Sequence, residues 1–111
     1  MKRAGLIVAL LLVLAACTPK TVPAPVPQAG IVDVQIKGFA FNPPVLTISK
    51  GDTVRWTNKD SAPHTATADD NAFTTDTLQT GQSGQITFDK PGTYAYHCAI
   101  HPNMKAKVVV Q

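Results

Sequence analysis

From residue 31 to residue 110 the chain is written in short runs of β-branched and aromatic residues, each closed by Gly, Pro, Asp or Asn, and no stretch carries a convincing helical period. The run Ile31-Val32-Asp33-Val34-Gln35-Ile36-Lys37 alternates from residue 32 onward and puts Val32, Val34 and Ile36 on one face. The same reading predicts strands over 45–49, 52–57, 64–68, 74–78, 84–88, 93–98 and 105–110, with a hairpin-like break at Lys50-Gly51 and room for an irregular turn within 69–75. Short strands with turns at close intervals predict an all-β fold, an antiparallel Greek-key sandwich or barrel, rather than βαβ units. About 80 residues bury only a modest core. Phe39, Phe41, Trp56, Phe88 and Tyr96 are therefore expected to supply much of it, with Trp56 a packing residue and not a redox group. The turn Asp89-Lys90-Pro91-Gly92-Thr93 leads into Tyr94, a candidate for a corner in which the phenol bonds back to the backbone upstream.

The first thirty residues read as delivery apparatus. Lys2 and Arg3 precede the apolar run from Leu6 to Leu14, a charged segment followed by a hydrophobic one of signal-peptide length. That run is too short to span a bilayer, which takes roughly 20 apolar residues. It ends in Leu14-Ala15-Ala16-Cys17, which resembles the bacterial lipobox, where cleavage leaves a lipid-bearing cysteine at the mature N-terminus. The expected organisation is a signal peptide over 1–16, lipidated Cys17 with a Pro-rich linker over 17–30, and one domain over 31–111. The protein is then exported, on the periplasmic or cell-surface side, and tied to a membrane through Cys17. Four of the nine prolines fall between residues 18 and 30. In extended polyproline geometry, at about 3.1 Å per residue, this segment reaches roughly 40 Å.

The formal net charge is +3, but removing Lys2 and Arg3 leaves eight basic residues against seven acidic ones. With charges scattered and nearly balanced, no electrostatic footprint for nucleic acid exists, and no nucleic-acid partner is expected. A monomer is expected.

Lipidation of Cys17 would leave Cys98 without a disulfide partner, and its neighbours give that thiol a use. Tyr96-His97-Cys98-Ala99-Ile100-His101-Pro102-Asn103-Met104 sets a thiol, an imidazole and a thioether at three-residue intervals. His64 lies upstream behind Pro63. If the fold joins the two segments, two imidazoles, one thiolate and one weak thioether surround one ion, the donor list of a blue-copper site. In an extended strand over 93–98, residues 94, 96 and 98 share one face, so Cys98 points inward and His97 outward. Pro102 stiffens the return toward Met104. Closed zinc sites use sets such as Cys₂His₂, and only one cysteine is available. A Cys–His nucleophile would need an orienting group and a cleft, and would leave Met104 without a role. Beyond His97 no spare histidine is available for additional copper ligands, so no enzyme is expected.

On these motifs the segment from Gly38 to Val110 resembles the cupredoxin family, and most of all its plastocyanin and amicyanin branches. Pro63-His64 resembles the upstream ligand motif. Cys98-Ala99-Ile100-His101-Pro102-Asn103-Met104 resembles the short amicyanin-type loop, with two residues between Cys and His and two between His and Met. The resemblance implies one type 1 copper with His64, Cys98 and His101 as equatorial ligands and Met104 as the axial one. It also implies electron transfer by Cu(I)/Cu(II) cycling, with redox partner proteins docking transiently near His101 on a patch formed with Ala99, Ile100 and Pro102. The competing class is a non-enzymatic copper carrier, storage or resistance protein using the same site. Two positions depart from the family pattern. Thr65 stands where many relatives carry an Asn that ties the ligand segments together, and a hydroxyl cannot copy an amide. His97 stands where plastocyanins often carry an exposed aromatic residue; it is read as a non-ligand, either a solvated strand residue or part of a second electron path or pH-dependent surface charge.

Overall fold

Alternation along the chain becomes alternation across two sheets. The computed structural model describes Gly5 and residues 29–111, so Cys17 and most of the expected signal peptide and linker lie outside the described residues. Eight strands follow in order: β1 (Ile31–Ile36), β2 (Phe41–Asn42), β3 (Val45–Ile48), β4 (Thr53–Asn58), β5 (Thr67–Ala68), β6 (Ser83–Thr87), β7 (Gly92–His97) and β8 (Lys105–Val110). One sheet runs β2-β1-β4-β6 and the other β3-β8-β7-β5. This is the expected all-β Greek-key sandwich, and no helix occurs among the described residues.

The pairing departs from the wholly antiparallel expectation. β1 lies parallel to β4, with Val34 opposite Trp56, and β3 lies parallel to β8, with Ile48 opposite Val110. The cause lies in the connections. Lys50-Gly51 is not a hairpin turn, because β3 belongs to one sheet and β4 to the other. The chain crosses between layers there, and such crossovers are what parallel neighbours require. Gly51, at φ +92, makes the crossing in a conformation that suits glycine.

The expected strand over 64–68 shrinks to β5, and the one over 74–78 reduces to isolated bridges, His64 with Leu78 and Thr67 with Thr74. Scattered backbone bonds, His64 with Leu78, Ala66 with Thr75 and Ala68 with Phe73, hold this region together with threonine side chains instead of a continuous ladder. The two-residue β2 sits at a sheet edge and was too short to register in the sequence pattern.

Inward faces of both sheets meet in one core of Val34, Ile36, Phe41, Val54, Trp56, Phe88, Tyr96, Val108 and Val110, which extends to Cys98 and Met104. Burying each large apolar side chain is worth roughly 1.5–3 kcal/mol. Trp56 packs across Tyr96 at 5.5 Å between ring centroids and donates its indole N–H to the Tyr96 phenol at 3.2 Å. Burial pushes the Tyr96 hydroxyl up to about 12, because a phenolate has no water there. Tyr94 makes the expected corner, its hydroxyl donating to the Lys90 carbonyl at 2.7 Å. Phe39 is the exception to the expected core. It is 53% exposed, at the end of the sandwich where the metal-binding candidates gather.

Candidate metal centre

His64 enters the site from a loop that the fold pins at several points. Its backbone exchanges two hydrogen bonds with Leu78, at 3.1 and 2.7 Å, and its ring is completely buried. Nε2 lies 2.9 Å from Asp60 Oδ2, while Nδ1 lies 3.6 Å from Cys98 Sγ. A carboxylate facing Nε2 favours the tautomer with its proton there and leaves the Nδ1 lone pair free to face the sulfur.

Asp60 holds more than the imidazole. Its Oδ1 accepts the Gly38 N–H at 2.8 Å and its Oδ2 accepts the Phe39 N–H at 2.9 Å. Desolvation works against its charged form, but the Phe39 and Gly38 N–H groups and His64 outweigh it and hold the carboxyl below the usual carboxylate range. These bonds fix Gly38 and Phe39 at φ +63 and +54, a conformation that costs a residue with a Cβ on the order of 1 kcal/mol. The Phe39 ring then stands edge-on to both imidazoles, 5.2 Å from His64 and 5.1 Å from His101.

Cys98 follows directly on β7, and its side chain points inward, as the alternation requires. The loop after it closes on itself. Cys98 N–H donates to the Met104 carbonyl at 3.1 Å, and Met104 N–H to the His101 carbonyl at 2.9 Å. His101 Nδ1 comes to 3.7 Å from Cys98 Sγ, and Met104 is buried beside Cys98 in the core. The donor atoms of His64, Cys98 and His101 all lie within 4.8 Å of one another, the one such group among the described residues. His97 is outside it: it faces away from the core and puts Nδ1 2.6 Å from Asp69 Oδ1.

This arrangement fits a single first-row ion. With bonds of about 2.3 Å to sulfur and 2.0–2.1 Å to nitrogen, and angles between tetrahedral and trigonal, a thiolate and an imidazole sit about 3.6–3.8 Å apart. The observed separations are 3.6 and 3.7 Å. A second stabilising feature is aimed at the sulfur, since Thr65 N–H donates to Cys98 Sγ at 3.4 Å. Thr65 also ties the two segments together: its Oγ1 accepts the Ala99 N–H at 2.8 Å.

Comparison with known proteins places the chain. A family model described as a cupredoxin-like domain matches residues 6–110. The chain belongs to the cupredoxin-like family. It is 34% identical to amicyanin of Paracoccus denitrificans over 87 residues, covering 74% of this chain and 66% of that protein. A solved amicyanin variant in the oxidized state superposes with a TM-score of 0.70 at 34% identity, over 74% of this chain and 83% of that one. The copper-containing nitrite reductase of Thermus scotoductus is 39% identical, with a TM-score of 0.68, over 72% of this chain but only 22% of that one. The likeness to the reductase is thus confined to a domain-sized piece.

Sequence reading named His64, Cys98, His101 and Met104 and missed Asp60, Asn58 and the place of Phe39. The only signal for the first two was the turn composition of Asn58-Lys59-Asp60-Ser61. Nothing in it marks a carboxylate that reaches back to His64.

Proposed function

We propose that this protein is a small electron carrier in which His64, Cys98 and His101 hold one copper ion, with Met104 as a weak fourth donor. When bound, the ion supplies one-electron chemistry between Cu(I) and Cu(II). The observation that carries the reading is the 3.6 and 3.7 Å spacing of two imidazole nitrogens about one buried thiol. Two nitrogens, a thiolate and a thioether suit copper better than zinc, whose closed sites favour further thiolates or imidazoles.

The chain's own residues keep the surroundings stiff. Asp60 fixes the His64 ring, Thr65 N–H faces the sulfur, and the loop bonds between Cys98, His101 and Met104 limit its breathing. His101 is only half-buried, and Phe39 and Ile100, 53% and 44% exposed, lie beside or next to it. A partner docking on this apolar surface would meet the ring of a ligand directly. Redox encounters of that kind bury little area and separate quickly. The protein would act as a carrier, not a catalyst.

The same reading extends to delivery: export through residues 1–16, lipid on Cys17, residues 17–30 as a spacer and a monomeric domain beyond. Cys17→Ala should release the protein from membranes or leave the leader uncut, and unchanged fractionation would overturn the anchor.

The deciding experiment is the visible spectrum of the domain loaded with Cu(II). Wild type should be intensely coloured by thiolate-to-copper charge transfer and bleach reversibly with a reductant while keeping its metal. Cys98→Ser should be colourless. A colourless wild type with bound copper would overturn the reading, and rapid loss of the ion to a chelator in either redox state would favour a copper carrier instead.

A further inference from the structure

The Thr65 hydroxyl that receives the Ala99 N–H does not act alone. Thr65 Oγ1 lies 2.9 Å from Thr67 Oγ1, which lies 2.8 Å from Thr74 Oγ1, and Thr74 Oγ1 donates to the Thr75 carbonyl at 2.9 Å. Each hydroxyl has one proton to give. The Thr74 proton is committed to a carbonyl, which can only accept, so Thr67 must donate to Thr74 and Thr65 must donate to Thr67. The Thr65 oxygen is then left to accept from Ala99. Every proton along the row points away from the metal-binding loop.

We propose that Thr65, Thr67 and Thr74 form a directional hydroxyl chain that positions the Cys98–Ala99 segment against the His64 segment, with Thr67 and Thr74 acting through Thr65. The inference rests on the copper reading of the same site. A lone threonine hydroxyl is a poor substitute for an amide because its proton can swing. Thr67 removes that freedom by accepting the proton, and a hydroxyl that donates becomes a better acceptor, so neighbouring bonds strengthen one another. The far end of the row is anchored in the sheet. Thr67 belongs to β5, pairs with His97 of β7, and is bridged to Thr74. The row thus carries the position of a sheet edge inward to buried Thr65, whose backbone N–H also faces Cys98 Sγ.

Two measurements test this, one without metal. In the metal-free protein, Thr67→Val should speed hydrogen exchange of the Ala99 amide, and Thr67→Ser, which keeps the hydroxyl, should not. In competition with a chelator, Thr67→Val should weaken copper binding about 10-fold, the lower end of the range for groups that orient metal ligands. Thr65→Val should weaken it more, and the double variant should be no worse than Thr65→Val, because Thr67 acts only through Thr65. The proposal is overturned if the two losses multiply, or if Thr67→Val lowers the melting temperature while Ala99 exchange and copper affinity stay at wild-type values. Ala99 exchange that responds as described in a protein that holds no copper would uphold the chain and overturn the copper reading.

Discussion

His64 and His101 present the same ring nitrogen to Cys98 Sγ at nearly the same distance, 3.6 and 3.7 Å, but they are held in opposite ways. The His64 ring is fully buried, its far nitrogen is braced by Asp60, and its backbone is bridged to Leu78. His101 is half-buried, and its fixed points are a carbonyl that accepts the Met104 N–H and the edge of Phe39. One ring can be locked because it only has to bind. On the proposed function the other would have to bind and also face a partner, and a carboxylate closed over it would block that approach. The arm over residues 58–65 therefore carries stability, while the loop over 98–104 carries access.

Asn58 offers the strongest way to break this division. It is completely buried at the end of β4, where its Nδ2 donates to the Ala62 and Leu78 carbonyls, both at 2.8 Å, and its Oδ1 accepts the Asp60 N–H at 2.8 Å. An unpaired buried polar group costs about 1–3 kcal/mol. Asn58→Ala strips partners from several at once and should destabilise the metal-free domain by about 3 kcal/mol in a denaturant titration. A loss within about 0.5 kcal/mol, the range of ordinary surface changes, would show that the arm is not what holds this end together.

Asp60→Asn is next. It keeps the shape but removes the charge that fixes the His64 tautomer, and copper affinity should fall by about 10–100-fold. A pH signature accompanies it. The Asp60 carboxyl is held below its usual range by the Phe39 and Gly38 N–H groups and His64, against the opposing effect of desolvation. A depressed carboxylate contributes stability that is fully present above its unfolded value of about 3.9 and is lost as pH falls through the folded value. Metal-free wild type should therefore lose more stability than Asp60→Asn on acidification below about pH 4. Parallel acid curves would remove Asp60 from the arm's energetics.

The same contrast explains how much could be read from the residues alone. Cys98, His101 and Met104 stand close together in sequence, and their spacing carries the donor set; Pro63-His64 supplied the remaining imidazole. The sandwich was legible because Val34, Ile36, Val54, Trp56, Val108 and Val110 alternate with outward neighbours. What supports His64 was not legible. Asp60 reaches Gly38 and Phe39 across more than twenty residues of chain, and a long-range bond from a turn has no period to betray it. Phe39 misled for a related reason: an aromatic residue beside a strand reads as core, yet here a positive φ turns it onto the surface over the two imidazoles. Thr65 is also better supported than a lone hydroxyl suggests: Thr67, two residues on, lies beside it, and Thr74 reaches Thr67 only through a bridge between short segments.

Ile100 sets the lower end of the scale and tests the loop's half of the comparison. It is 44% exposed between Cys98 and His101, so Ile100→Ser should change stability by no more than about 0.5 kcal/mol and leave the visible spectrum of the copper form intact. Its effect should fall on encounter. Removing the exposed apolar side chain takes about 1 kcal/mol from docking on this surface, at roughly 25 cal/mol per Å², which is roughly five-fold in affinity. Electron self-exchange between reduced and oxidised molecules, read from NMR line broadening, reports on that encounter without an outside partner and should slow by at least that factor, since both molecules carry the change. Val45→Ser is the control, since Val45 is 52% exposed on β3 and outside the loop. If both variants slow exchange equally, the loop holds no privileged surface, and the open side of His101 is not the route by which the electron leaves.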